Sequence, residues 1–142
     1  FRNIDIIKDE PALNGLSVEY TKHQNVESRL KIIFDEINSV SVNNLSAEEV
    51  TKYVSDIMIK LWECHPFRDG NTRTTLIFIC KYCKSMGIDV DLSLLANNSG
   101  YLRRSLVAAT YECEELEITP DKTYLHKIVG DALSPKKKEL AR

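Results

Sequence analysis

The sequence predicts a mostly α-helical domain that carries one short β-hairpin near its start. Three observations predict it. From Asn25 to Leu133 apolar residues recur every three or four positions. The segments so marked open at cap residues and close at glycine or proline. Only Phe1 to Tyr20 alternates apolar with polar residues at the strand period.

Taken in order, Ile4 and Ile6 and then Leu16, Val18 and Tyr20 alternate, and Asn14-Gly15 between them is a hairpin-turn signal. Pro11 removes one ladder donor and places the hairpin at an edge. Asn25 is read as the cap of a helix whose Val26, Leu30, Ile33, Phe34 and Ile37 share a stripe. Val40 to Leu45 is a polar loop. Ser46 with Glu49 forms a capping box for a helix whose Val50, Tyr53, Val54, Ile57, Met58, Leu61 and Trp62 give a wide apolar face. Pro66 disfavours helical geometry in the residue before it, so this helix stops near His65.

The next helix starts at Asn71 or Thr72, runs to Ser85 and ends at Gly87, burying Leu76, Ile79, Cys80, Cys83 and Met86. Another is expected over Asn98 to Glu112. The last opens with Thr119-Pro120 and carries Tyr124, Leu125, Ile128, Val129 and Leu133. Residues 134–142, with Lys136-Lys137-Lys138, read as a basic solvated tail behind a domain of residues 1–133.

At 142 residues the chain has the length of one domain. Its formal charge of -2 gives no global bias toward nucleic acid or membrane, and three tail lysines are weak grounds for either. No apolar run approaches the roughly 20 residues that span a bilayer. Phe1 to Lys8 does not resemble a secretion signal, so a cytoplasmic location is expected, and the missing Met suggests an upstream segment. Cys64, Cys80, Cys83 and Cys113 are expected to be free thiols. Cys80 and Cys83 lie one turn apart on a helix, with no second Cys or His pair to complete a zinc site.

The chemistry is concentrated between the two most apolar helices, at His65-Pro66-Phe67-Arg68-Asp69-Gly70-Asn71-Thr72-Arg73. Gly70 lets the backbone take positive φ and approach a ligand closely. Asn71 and Thr72 stand where a helix begins, so several N–H groups lack intrahelical partners, an arrangement that binds phosphate. Arg73 adds a guanidinium for phosphate oxygens. Asp69 beside a phosphate implies a cation between them, and a carboxylate with phosphates and waters is how Mg²⁺ is usually held. A neutral His65 could take a proton from an attacking hydroxyl. Phe67, apolar in a polar loop, is expected to turn inward and anchor the loop. Each feature alone is weak, but their order within nine residues points to phosphate chemistry.

This segment resembles the signature of the Fic family, H-x-F-x-[D/E]-G-N-x-R with a second arginine three residues later, and the resemblance covers residues 1 to 130 or so. It implies a bacterial-type enzyme with a Fic-type helical bundle, its hairpin flap matching Phe1 to Tyr20 and its motif helices and loop matching residues 46–86. It also implies transfer of AMP from ATP to a Ser, Thr or Tyr hydroxyl of a target protein. On that resemblance His65 is the base, Asp69 holds Mg²⁺, Gly70 and Asn71 line the anion hole, and Thr72 and Arg73 bind the phosphates, Arg73 gripping them. The target would dock on the flap at Ile4, Asp5, Ile6, Ile7 and Lys8.

One position departs from the pattern: Leu76 stands where the second arginine is expected. That arginine often contacts the γ-phosphate or pairs with the glutamate of an inhibitory helix. No clean copy of the inhibitory motif is present; Thr110 to Glu115 comes nearest. An inhibitory segment or antitoxin-like partner would then lie outside this chain, and the nucleotide donor is open. Related enzymes phosphorylate proteins, transfer UMP or phosphocholine, or remove AMP. A binding module without catalysis is the rival from another class, favoured by Leu76 and opposed by the intact His65, Asp69, Asn71 and Arg73. A cysteine hydrolase built on Cys64-His65 is excluded, because neighbouring helical residues point about 100° apart.

Overall fold

The capping box at Ser46 forms: the Glu49 N–H donates to the Ser46 hydroxyl and the Ser46 N–H to the Glu49 carboxylate, each at 3.1 Å. It opens the longest helix of the computed structural model, which describes residues 1–133. The basic tail expected over 134–142 lies outside the described residues. Among those described, the helices are α1 (Val26–Asn38), α2 (Ala47–Cys64), α3 (Asn71–Ser85), α4 (Leu92–Asn97), α5 (Ser99–Thr110) and α6 (Thr123–Leu133). Helix α2 is the hub and packs against α1, α3, α5 and α6. Its Val54, Ile57, Met58, Leu61 and Trp62 are buried, as the apolar stripe requires.

The hairpin expected over residues 1–20 does not form, and no β-strand is found among the described residues. The turn chemistry itself is present, because Asn14 (φ 54°) and Gly15 (φ 86°) both adopt the left-handed conformation. The ladder fails beside it. Pro11 opens a 3₁₀ turn over Pro11–Leu13, and the Lys8 N–H donates to the Ser17 hydroxyl at 3.1 Å instead of to a backbone carbonyl. Side-chain competition of this kind and a missing proline donor together remove the pairing.

Three helix starts also differ. Asn25 makes no side-chain cap; a 3₁₀ turn over His23–Asn25 leads into α1 instead. The short helix α4 was not foreseen; its Asp91 carboxylate accepts from the Leu94 N–H at 3.0 Å. Helix α6 begins at Thr123 rather than after Pro120, because the Asp121 carboxylate takes the Thr123 N–H at 3.0 Å. Cys83 is wholly buried in α3, where burial pushes its thiol up to about 12. No helix among the described residues is long and apolar enough to cross a membrane.

Candidate active site

Helix α2 ends on His65, which takes the left-handed conformation (φ 47°, ψ 61°) and turns the chain sharply. The last carbonyls of a helix have no intrahelical donors. Here Arg2 supplies them. Its Nε donates to the His65 carbonyl at 2.6 Å and its Nη2 to the Cys64 carbonyl at 3.2 Å; further bonds reach the Ile4 and Thr21 carbonyls. The Arg2 N–H adds a bond to the Pro66 carbonyl at 2.9 Å. A buried cation at the negative end of α2 is also electrostatically favourable.

The His65 ring is fixed as firmly. It stacks on Tyr20 with ring centroids 4.0 Å apart and meets the edge of Trp62 at 5.1 Å. Its Nδ1 lies 2.6 Å from the Trp62 carbonyl, so Nδ1 carries the proton and Nε2 is left as the acceptor. Burial lowers the imidazole to about 4. The Trp62 carbonyl opposes the shift, and the charges of Lys8, Arg103 and Arg2 add to it. At neutral pH His65 is therefore an uncharged base.

The loop after it is clasped by Asn71, which is 3% exposed. The Asn71 Nδ2 donates to the Phe67 carbonyl at 2.6 Å, and the Phe67 N–H donates to Asn71 Oδ1 at 3.0 Å. The anchoring expected of the Phe67 side chain is thus done by a side chain read as a phosphate ligand. The Phe67 ring is 37% exposed and packs at the surface against Phe1, 5.9 Å between centroids. Gly70 (φ 76°) caps α3 and offers no side chain to its first N–H groups. Glycine is needed for this conformation, and it also lets the Arg73 guanidinium lie within 3.2 Å of where a Cβ would stand. The Thr72 hydroxyl accepts from Trp62 Nε1 at 3.0 Å.

These residues converge. A cavity of about 150 Å³ is lined by His65, Asp69, Gly70, Asn71, Thr72 and Arg73 together with Lys8 and Arg103. Three cations thus surround a helix N-terminus, and Asp69 is the only carboxylate on the wall among the described residues. Asp69 is exposed and accepts from the Gly70 N–H at 2.9 Å. No group of three or more His, Cys, Asp or Glu side chains gathers there or elsewhere among the described residues. This donor set fits a Mg²⁺ that shares its coordination with substrate phosphates and water, and does not fit a cation caged by protein alone.

Of the segment expected to dock a target, only Lys8 reaches the cavity; its Nζ donates to the Arg68 carbonyl at 2.9 Å. Asp5 is tied to His23, accepting from its N–H at 2.7 Å, and Ile6 packs on the core. Ile4 and Ile7 are exposed. Sequence reasoning missed Arg2, Glu10 and Arg103. The partners that bring them to the site lie 31 to 93 positions away, and no local pattern distinguishes them from surface charges.

The model of the Fic/DOC family matches residues 1–83. No curated protein matches the chain at a significant level. Among solved structures, BepC, a VirB-translocated effector protein of Bartonella tribocorum with bound AMPPNP, is similar with a TM-score of 0.69 at 21% identity. The match covers 84% of this chain and 53% of that one. The N-terminal FIC domain of Bep8 from Bartonella sp. 1-1C is similar at 0.71 and 20% identity, over 94% and 58% of the two chains. The present chain spans little more than half the length of the structures it matches.

Two expectations follow from this geometry. Folded His65 resists protonation down to about pH 4, while unfolded His65 takes a proton near 6.5. Stability should therefore fall as pH drops through that window, by roughly 3 kcal/mol in all, and the His65 term should level off below it. An NMR titration of the imidazole should find its midpoint near 4, and a midpoint at or above 6 would remove the uncharged buried base. Arg2→Met should lower stability by roughly 3 kcal/mol by stranding the carbonyls at the end of α2. A urea midpoint equal to wild type would show that those carbonyls find other donors.

Proposed function

The chain belongs to the Fic/DOC family, and we propose that it is a protein adenylyltransferase that moves AMP from ATP to a hydroxyl of a target protein. The observation that carries this reading is the pairing, in one cavity, of an uncharged histidine with a cationic phosphate cradle. Members of the family often transfer AMP. The bound AMPPNP in BepC adds support for an adenine nucleotide as donor.

In the proposed reaction the target hydroxyl oxygen attacks the α-phosphorus, the bond to the bridging oxygen breaks, and pyrophosphate leaves. The proton of the hydroxyl passes to His65 Nε2. The Trp62 carbonyl, held by the Nδ1 proton, keeps the ring in the tautomer that can accept it. Thr72 and Arg73 at the start of α3 would take phosphate oxygens through backbone N–H groups and the guanidinium. Mg²⁺ held by Asp69 would neutralise charge on the phosphates. Asn71, which lines the cavity, also fixes the loop shape through its side-chain amide.

The target would dock along Ile4 to Lys8, where the exposed Ile4 and Ile7 offer apolar contacts beside Lys8 at the cavity. The cavity, about 150 Å³, would take phosphates but is small for a whole nucleotide, so the base would sit in a more open region. This leaves GTP, UTP and CTP as donors to compare with ATP.

The test is transfer of label from α-³²P-ATP with Mg²⁺ in a cell lysate, wild type beside His65→Asn. Asparagine tolerates the left-handed backbone at this position, so the loop should survive the change. Labelled protein should appear with wild type and fall by roughly 10²–10⁴-fold in the variant. Transfer undiminished in His65→Asn would exclude His65 as the base. Label from another nucleotide but not ATP would keep the reaction class and change the donor.

A further inference from the structure

We propose that Arg103 on α5 is a nucleotide-binding residue of this site, its Nη1 presented to the phosphates beside the first turn of α3. The inference deepens the proposed function and rests on it for the identity of the ligand.

Two of the three guanidinium nitrogens of Arg103 are committed to one carboxylate. Nη2 donates to Glu10 Oε1 at 2.6 Å and Nε to Glu10 Oε2 at 3.3 Å. This fork-to-fork pairing fixes the plane of the group as well as its position. Glu10 is buried, its side chain 3% exposed, whereas that of Arg103 is 39% exposed. The pair is therefore one-sided, with the carboxylate inside and the guanidinium opening outward. The third nitrogen, Nη1, makes only one long bond, donating to the Thr72 hydroxyl at 3.5 Å beside the first turn of α3, and its second N–H has no bond to Glu10. Trp62 backs the group, with its ring centroid 6.0 Å from Cζ.

A buried carboxylate would be an expensive way to hold a cation that has no further use. Here it presets the direction of the one donor that faces the cavity. Leu76 is partly buried against the core and does not line the cavity, so the α3 turn beyond Arg73 brings no further cation to it. Arg103, arriving from a different helix, completes a ring with Lys8 and Arg73 around the α3 N-terminus.

The experiment is calorimetric binding of Mg-ATP, inorganic pyrophosphate and adenosine, which is independent of any transfer. Arg103→Gln should weaken Mg-ATP and pyrophosphate by about tenfold or more, corresponding to about 1.4 kcal/mol, and leave adenosine unchanged. Because that variant strands the Glu10 carboxylate, the double variant Glu10→Gln with Arg103→Gln replaces the ion pair by a neutral hydrogen-bonding pair and should fold while showing the same loss. Arg103→Lys, which keeps the charge without the fork, should recover part of the affinity. Polyphosphate affinity within twofold of wild type in the folded double variant would assign Arg103 to structure alone. Phosphate binding that depends on Arg103 with no AMP transfer would retain this inference and sink the proposed reaction. A wild type that binds neither Mg-ATP nor pyrophosphate would overturn both.

Discussion

The site depends on how the chain leaves α2. A helix that ends in a left-handed histidine followed by proline would expose its last carbonyls beneath a loop. The buried Arg2 guanidinium fills that gap and draws the N-terminal segment across the end of the helix. Because Arg2 is there, the segment from Ile4 to Glu10 runs past the loop, and Lys8 and Glu10 reach the site. Because His65 is left-handed, its ring turns back onto Tyr20 and Trp62 while the chain proceeds to the start of α3. One reversal thus sets both the base and the anion cradle.

The electrostatics of the cavity serve two ends. Burial does most to oppose a second proton on His65, and Lys8, Arg103 and Arg2 add to it. Two of these cations, with Arg73, make the cavity favourable for a polyphosphate. Binding such an anion would offset part of the charge that holds the imidazole low, raising its affinity for the proton it must accept when the substrate is in place. Asp69 tempers the positive field and, on the proposed function, would give a divalent cation a place beside the phosphates.

Much of this was legible from local signals. The stripe of α2, its capping box and the Gly70–Asn71 start of α3 each depend on residues a few positions apart, and each formed where the pattern put it. The loop signature located the cavity for the same reason. The hairpin was misread because alternation and Asn14-Gly15 describe a turn, while strand pairing also needs free donors; Pro11 and the Ser17 hydroxyl withdrew them. Asn71 was read by its place at a helix start, yet its amide closes the loop onto Phe67, a geometry no spacing reveals. Arg2, Glu10 and Arg103 act across 31 to 93 positions. Only the fold brings them to His65 and Thr72.

The most direct test of the account is to offer the protein ATP labelled at the α- or the γ-phosphorus, in parallel, with Mg²⁺ and a lysate. Transfer of AMP with departure of pyrophosphate predicts protein-bound label from the α position alone. Label delivered from the γ position and not from the α would mean phosphoryl transfer, and would contradict the assignment of His65 and the cationic cavity to attack at the α-phosphorus.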